Sequence, residues 1–87
     1  MDKYRQAAIR RNKEYVTRVK ESIGECADCG ASWPPCAMDF DHVTGIKNQA
    51  ITRLVSNGCS LDTIEAEIEK CDLVCACCHR MRTEERR

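Results

Sequence analysis

The chain has 87 residues, room for one domain with a small apolar core. One Trp, one Phe and two Tyr leave that core to Ile, Val, Leu, Met and Cys, and no apolar run is long enough to cross a bilayer. The net charge is zero but segregated: residues 1–22 hold seven basic and three acidic side chains, residues 60–78 hold five acidic residues against Lys70, and the last nine residues hold four Arg against two Glu.

Residues 3–22 contain no Gly or Pro, and Tyr4, Ala8, Val16, Val19 and Ile23 recur at helical spacing with Tyr15 beside them. This predicts a long, basic N-terminal helix stopped at Gly24. Cys26-Ala27-Asp28-Cys29-Gly30 reads as a metal-binding turn, with Gly30 free to take a positive φ. Ser32-Trp33-Pro34-Pro35 is a loop. Residues 37–43 alternate in polarity and predict a strand, Thr44-Gly45 a turn, and Ile46–Ala50 a second short strand. Ile51–Asn57 predicts a short helix closed by Gly58. Ser60 is a good N-cap for a helix carrying Leu61, Ile64, Glu65 and Ile68 and running to about Lys70. Leu73-Val74 leads into a second turn, and a last helix starts near Cys78.

Eight cysteines in so short a chain suggest either a secreted disulfide scaffold or a metal site. The opening Met1-Asp2-Lys3-Tyr4-Arg5 lacks the apolar stretch of a secretory signal. That favours zinc and a cytoplasmic location. Cys26 and Cys29 form one Cys-x-x-Cys pair, Cys75 and Cys78 another, with 45 residues between the pairs. Each pair presents two thiolates to one ion, and together they complete a closed Cys₄ zinc site that staples the ends of the intervening segment. Cys36, Cys59 and Cys71 read as small buried apolar residues. Cys77 lies inside the second turn, where it could compete for metal.

Between the pairs stands Asp41-His42, and His79 directly follows Cys78. A lone His on a strand is ordinarily structural. Here Gly45 and Lys47 suit a tight turn and a phosphate contact, and the zinc turn would fix His79 at a helix start.

Taken together, Cys26-x-x-Cys29-Gly30, Phe40-Asp41-His42-Val43-x-Gly45-x-Lys47 and Ile64-x-x-Glu67-Ile68-x-Lys70-Cys71-Asp72-Leu73-Val74-Cys75-x-x-Cys78-His79-Arg80, closed by Thr83, resemble the HNH endonuclease family in its Cys₄ zinc branch, common in phage and bacterial genomes. The resemblance covers about residues 24–84. It implies an α+β fold, a small zinc-stapled ββα-metal domain (strand, strand, then helix), here one domain over 1–87 with residues 1–23 as the basic helix. It further implies that Asp41 and His79 ligate a catalytic cation and that His42 is the general base. The cation would be Mg²⁺ or Mn²⁺, with Zn²⁺ or Ni²⁺ as further options. The chemistry accounts for the set. A neutral imidazole can take a proton from water near pH 7, and a divalent cation relieves charge on the phosphate and leaving oxygen. Adjacent strand residues face opposite sides, so Asp41 and His42 share a site only where the strand twists, bulges or ends.

Two positions depart from the family. Relatives commonly carry Asn where Cys77 stands, and Lys70 occupies the region before Leu73-Val74 where other branches carry their central Asn. The implied partner is double-stranded DNA, gripped without sequence readout by Arg5, Arg10, Arg11, Lys13, Arg18, Lys20, Lys47, Arg80 and Arg82; the plainer account of these charges is solvated helix faces. The expected activity is nicking or weakly sequence-specific cleavage, in the host cytoplasm if the chain is phage-encoded, with no membrane partner. A homodimer would let it cut both strands. The alternative is a non-catalytic zinc-stapled module that binds DNA or protein in a phage packaging or recombination complex. A resolvase resembling recombination endonuclease VII ranks lower, because that family tends to carry Asn where His79 stands.

Overall fold

The computed structural model describes residues 3–87; Met1 and Asp2, the first residues of the expected N-terminal unit, lie outside them. The elements run α1 (Lys3–Ile23), β1 (Met38–His42), α2 (Ile51–Ser56), α3 (Leu61–Ile68), β2 (Cys71–Cys75) and α4 (Ala76–Glu85), with one 3₁₀ turn at Pro35–Ala37 before β1. The class is α+β. Among the described residues no helix is long and apolar enough to cross a membrane.

α1 ends where Gly24 takes φ +83° and its N–H bonds the Lys20 carbonyl at 2.9 Å, a left-handed cap that side chains resist. Its one fully buried side chain is polar. Asn12 donates to the Cys59 carbonyl at 3.0 Å and accepts from the Arg11 guanidinium, so α1 is tied to the end of α2 through satisfied polar groups. α3 starts as expected at Ser60, whose hydroxyl accepts from Thr63 N–H at 3.2 Å.

The sheet has two antiparallel strands, pairing Met38 with Cys75, Phe40 with Leu73, Asp41 with Asp72 and His42 with Cys71. The second strand is therefore not at residues 46–50, which form no strand; it is Cys71–Cys75, on the far side of α2 and α3. Val43 and Thr44 N–H groups both bond the Lys70 carbonyl, so backbone groups leaving β1 are satisfied by the start of β2 rather than by a tight hairpin.

Strand alternation then sorts the side chains. Met38, Phe40 and Leu73 face the interior, where one cluster gathers Cys26, Met38, Leu73, Val74 and Cys75 and a second gathers Ile51, Leu54, Val55 and Ile64. Phe40 packs against both clusters and joins them. Asp39, Asp41 and Asp72 face α4 instead. Cys59 and Cys71 are half-buried against the second cluster, but Cys36 and Cys77 are exposed. Cys36 is thus not a buried apolar residue: it sits in the 3₁₀ turn that leads into β1 rather than under it.

Candidate functional site

The first Cys-x-x-Cys turn closes on itself, with Gly30 N–H bonding the Cys26 carbonyl at 2.9 Å while Gly30 sits at φ +74°. Ala27 N–H bonds the Leu73 carbonyl at 2.8 Å, which docks this turn on β2. The second turn is the start of α4 itself. Cys75 ends β2 and caps α4, its sulfur accepting from Cys78 N–H at 3.5 Å. Cys26, Cys29, Cys75 and Cys78 consequently bring their Sγ atoms within 4.8 Å of one another. Zn–S bonds of about 2.3 Å in a tetrahedron put sulfurs about 3.8 Å apart, and Cys29 Sγ lies 4.0 Å from Cys75 Sγ. The cluster fits one structural zinc ion. Cys77 takes no part in it.

The backbone prepares one member of the cluster, Cys26, for anionic sulfur. Burial pushes the Cys26 thiol up, but N–H groups of Cys29, Cys75 and Asp28 at 3.3–3.4 Å outweigh it and bring it down to about 6. Such N–H···S bonds also fix the direction of the Cys26 and Cys75 sulfurs.

Ionic groups collect where β1 and β2 meet α4. Asp41 and Asp72 are directly opposed in the ladder, a like-charge pair that would destabilise the sheet if left alone. Arg82 resolves it, reaching Asp41 Oδ2 at 2.8 Å, Asp72 Oδ2 at 3.0 Å and both oxygens of Asp28 at 2.7 and 2.6 Å. Arg86 adds a bidentate pair to Asp41, 2.9 Å to Oδ1 and 2.7 Å to Oδ2. These guanidinium groups, Arg86 first, hold the buried Asp41 carboxyl far below the usual carboxylate range although burial opposes them. His79 stands beside the same carboxylate. Its Nδ1 is 3.0 Å from Asp39 Oδ2 and its Nε2 is 3.6 Å from Asp41 Oδ1. A carboxylate only accepts, so Nδ1 donates to Asp39, and a neutral ring turns its Nε2 lone pair toward Asp41.

The structure brings Asp41 and His79 together but turns His42 the other way. β1 stays in regular register through His42, so no bulge brings the neighbouring side chains to one face. His42 Nε2 lies 2.9 Å from Glu67 Oε2 on α3. Glu67 also accepts from Lys70 Nζ at 2.7 Å and Asn48 Nδ2 at 2.9 Å. Lys70 first, then His42 and Asn48, draw its carboxyl down to about 2 against the opposing effect of burial. As an anion it can only accept, so His42 Nε2 donates, and a neutral ring then keeps its lone pair on Nδ1.

Three residues expected to grip phosphate are committed to partners within the chain. Arg82 is consumed by Asp28, Asp41 and Asp72. Arg11 turns back to Asn12 and to the Cys59 carbonyl just beyond α2. Lys20 lies over the Phe40 ring at 5.8 Å and donates to the Pro35 carbonyl. Arg5 lies beside Gly58 at the end of α2. Arg10, Lys13, Lys47 and Arg80 are exposed, as is Arg18, whose guanidinium is 3.8 Å from Glu14. Sequence reading missed Asp39, Glu67 and Arg86. Glu67 alone left a signal, standing three residues after Ile64 on the buried stripe of α3.

No family model, curated protein or solved structure matches the chain.

Proposed function

We propose that the protein is a zinc-stapled, metal-dependent DNA endonuclease of the HNH type. The observation that carries the reading is the file Asp39–His79–Asp41. One carboxylate fixes the imidazole, and the other ring nitrogen faces a second, buried carboxylate. A carboxylate, an imidazole and a carboxylate behind the imidazole are the donor set of a hard-to-borderline cation site, and two protein ligands leave room for phosphate and water. When bound there, Mg²⁺ or Mn²⁺ supplies charge relief at the scissile phosphate and leaving oxygen.

The division of Asp41 from His42 suits in-line displacement. The attacking water and the leaving oxygen stand on opposite sides of phosphorus, so a proton acceptor and a cation site need not share one face. On this reading the scissile phosphate would lie across the end of β1, with His79 and Asp41 on the α4 side and His42 on the α3 side. Glu67 holds His42 in the tautomer that keeps Nδ1 as the acceptor, the role of the third member in any nucleophile–base–orienter set. Arg10, Lys13, Arg18, Lys47 and Arg80 supply exposed positive charge for the backbone of double-stranded DNA.

A second reading rests on the three guanidinium hydrogen bonds to Asp41. If that carboxylate is purely structural, the protein is a non-catalytic DNA- or protein-binding module. Supercoiled plasmid incubated with Mg²⁺, Mn²⁺ or chelator separates the two, with zinc content measured throughout. Cation-dependent nicking that is lost in His42→Ala supports the nuclease. DNA retention without cutting under any cation selects the module.

A further inference from the structure

Asp41 does not treat its two oxygens alike. Oδ2 accepts from both Arg82 and Arg86, at 2.8 and 2.7 Å. Among the described residues Oδ1 accepts from Arg86 alone, at 2.9 Å, and it is Oδ1 that faces His79 Nε2. The one guanidinium N–H on the His79 side of this carboxylate therefore belongs to Arg86.

The two arginines are also held differently. The Arg82 side chain is 17% exposed and is anchored by Asp28 and Asp72 as well as Asp41, so it cannot leave without unmaking the joint between the first zinc turn, the sheet and α4. The Arg86 side chain is 51% exposed, and its hydrogen bonds go to Asp41. It caps α4 through its backbone N–H, which bonds the Arg82 and Thr83 carbonyls. Its side chain can swing away while the helix stays as it is.

We infer that Arg86 is a displaceable internal counter-ion: it neutralises Asp41 until a divalent cation takes Oδ1, and the released guanidinium then receives a DNA phosphate. This rests on the proposed cation site at Asp41 and His79. With Arg86 removed, Arg82 still holds Oδ2, so the carboxylate stays oriented while Oδ1 opens. The planar fork that grips a carboxylate in two places grips a phosphate equally well. Phosphate and cation therefore help each other: a phosphate that draws Arg86 off clears Oδ1, and a cation on Oδ1 frees Arg86. Such coupling is reciprocal by thermodynamic necessity.

The test is a Mn²⁺ titration of the zinc-loaded full chain, by calorimetry and by electron paramagnetic resonance, on the parent, Arg86→Gln, Arg86→Ala and Asp41→Asn. Zinc content and circular dichroism check that each variant is folded. Without DNA, both Arg86 variants should bind Mn²⁺ at least about fivefold tighter than the parent. A short DNA duplex should tighten Mn²⁺ binding in the parent and change it little in the Arg86 variants. Asp41→Asn should remove the site in all conditions. Asp41-dependent binding that is equally tight with and without Arg86 overturns the counter-ion and leaves the cation site standing. No Asp41-dependent Mn²⁺ binding in any variant, with or without DNA, overturns the cation site and the counter-ion with it.

Discussion

His42 and Glu67 lock the end of β1 to α3 through a 2.9 Å contact in which both side chains are nearly buried. The same carboxylate collects Lys70 and Asn48, so strand, loop and helix meet on one anion. Glu67→Gln keeps the shape, loses the charge and turns one acceptor into a donor facing other donors. We expect it to lower stability by about 1–3 kcal/mol in urea denaturation.

The pH dependence of that difference has a definite sign. The folded Glu67 carboxyl is drawn down to about 2 from an ordinary 4.5. A depressed acid stabilises the fold fully above its unfolded pKa, and the stabilisation fades as pH falls toward the folded one. The gap between parent and Glu67→Gln should therefore be constant above about pH 5.5 and narrow as pH drops below about 4.5. Comparing the two proteins cancels the acid sensitivity of the shared zinc site. A gap that widens on acidification is incompatible with Glu67 as the charged acceptor.

The four clustered sulfurs lead to a stoichiometry. Purified protein should carry about one tightly held zinc per chain, measured by native mass spectrometry or metal analysis. Cys26→Ser should lose both zinc and most of the cooperative fold, since Cys26 is buried in the cluster that also contains Met38 and Val74. Cys77→Asn should keep the zinc, because the exposed Cys77 is not among the ligands. Loss of metal in that variant would contradict the ligand set.

Arg82 and Arg86 should respond differently to substitution by Lys. A single ammonium cannot reproduce four hydrogen bonds to three carboxylates, and it leaves Asp41 facing Asp72 across the ladder. Arg82→Lys should cost about 1–3 kcal/mol of stability. Arg86→Lys should change stability much less, its side chain being half exposed. Equal losses in thermal denaturation would show that the Asp28–Asp41–Asp72 joint does not depend on Arg82.

Local signals were legible and long-range ones were not. The zinc cysteines could be read because a Cys-x-x-Cys turn is complete within four residues, and α3 because Ser60 and its apolar stripe are adjacent. The partner of β1 is not where the local sequence points. A turn signal at Gly45 suggests a hairpin into residues 46–50, yet the paired strand begins at Cys71, and nothing near Gly45 encodes that distance. Arg82 reads as a phosphate contact for the same reason, since Asp28, Asp41 and Asp72 converge on it only after the sheet and both zinc turns have formed. In the sequence Asp39 is only one member of an alternating strand; its value lies in facing His79, forty positions along the chain.

The arrangement around the end of β1 finally predicts two kinds of loss in the proposed nuclease. Asp39 touches the ring nitrogen of His79 that points away from Asp41, so it orients a ligand without being one. Outer carboxylates of this kind typically account for about 10–100-fold in metal affinity. Asp39→Asn should therefore weaken Mn²⁺ binding by about tenfold, and cleavage should recover as Mn²⁺ is raised. His42 stands with Glu67, away from Asp41, and its proposed work is proton transfer in the transition state. His42→Ala should leave Mn²⁺ and DNA binding nearly intact, abolish plasmid nicking, and stay inactive at any Mn²⁺ concentration. Glu67→Gln, which spares the ring but loosens its orientation, should fall between parent and His42→Ala in rate at unchanged Mn²⁺ affinity. If high Mn²⁺ restores cutting to His42→Ala, or if Glu67→Gln weakens Mn²⁺ binding as much as Asp39→Asn does, the base does not sit on the α3 side of the strand and the two-sided mechanism is wrong.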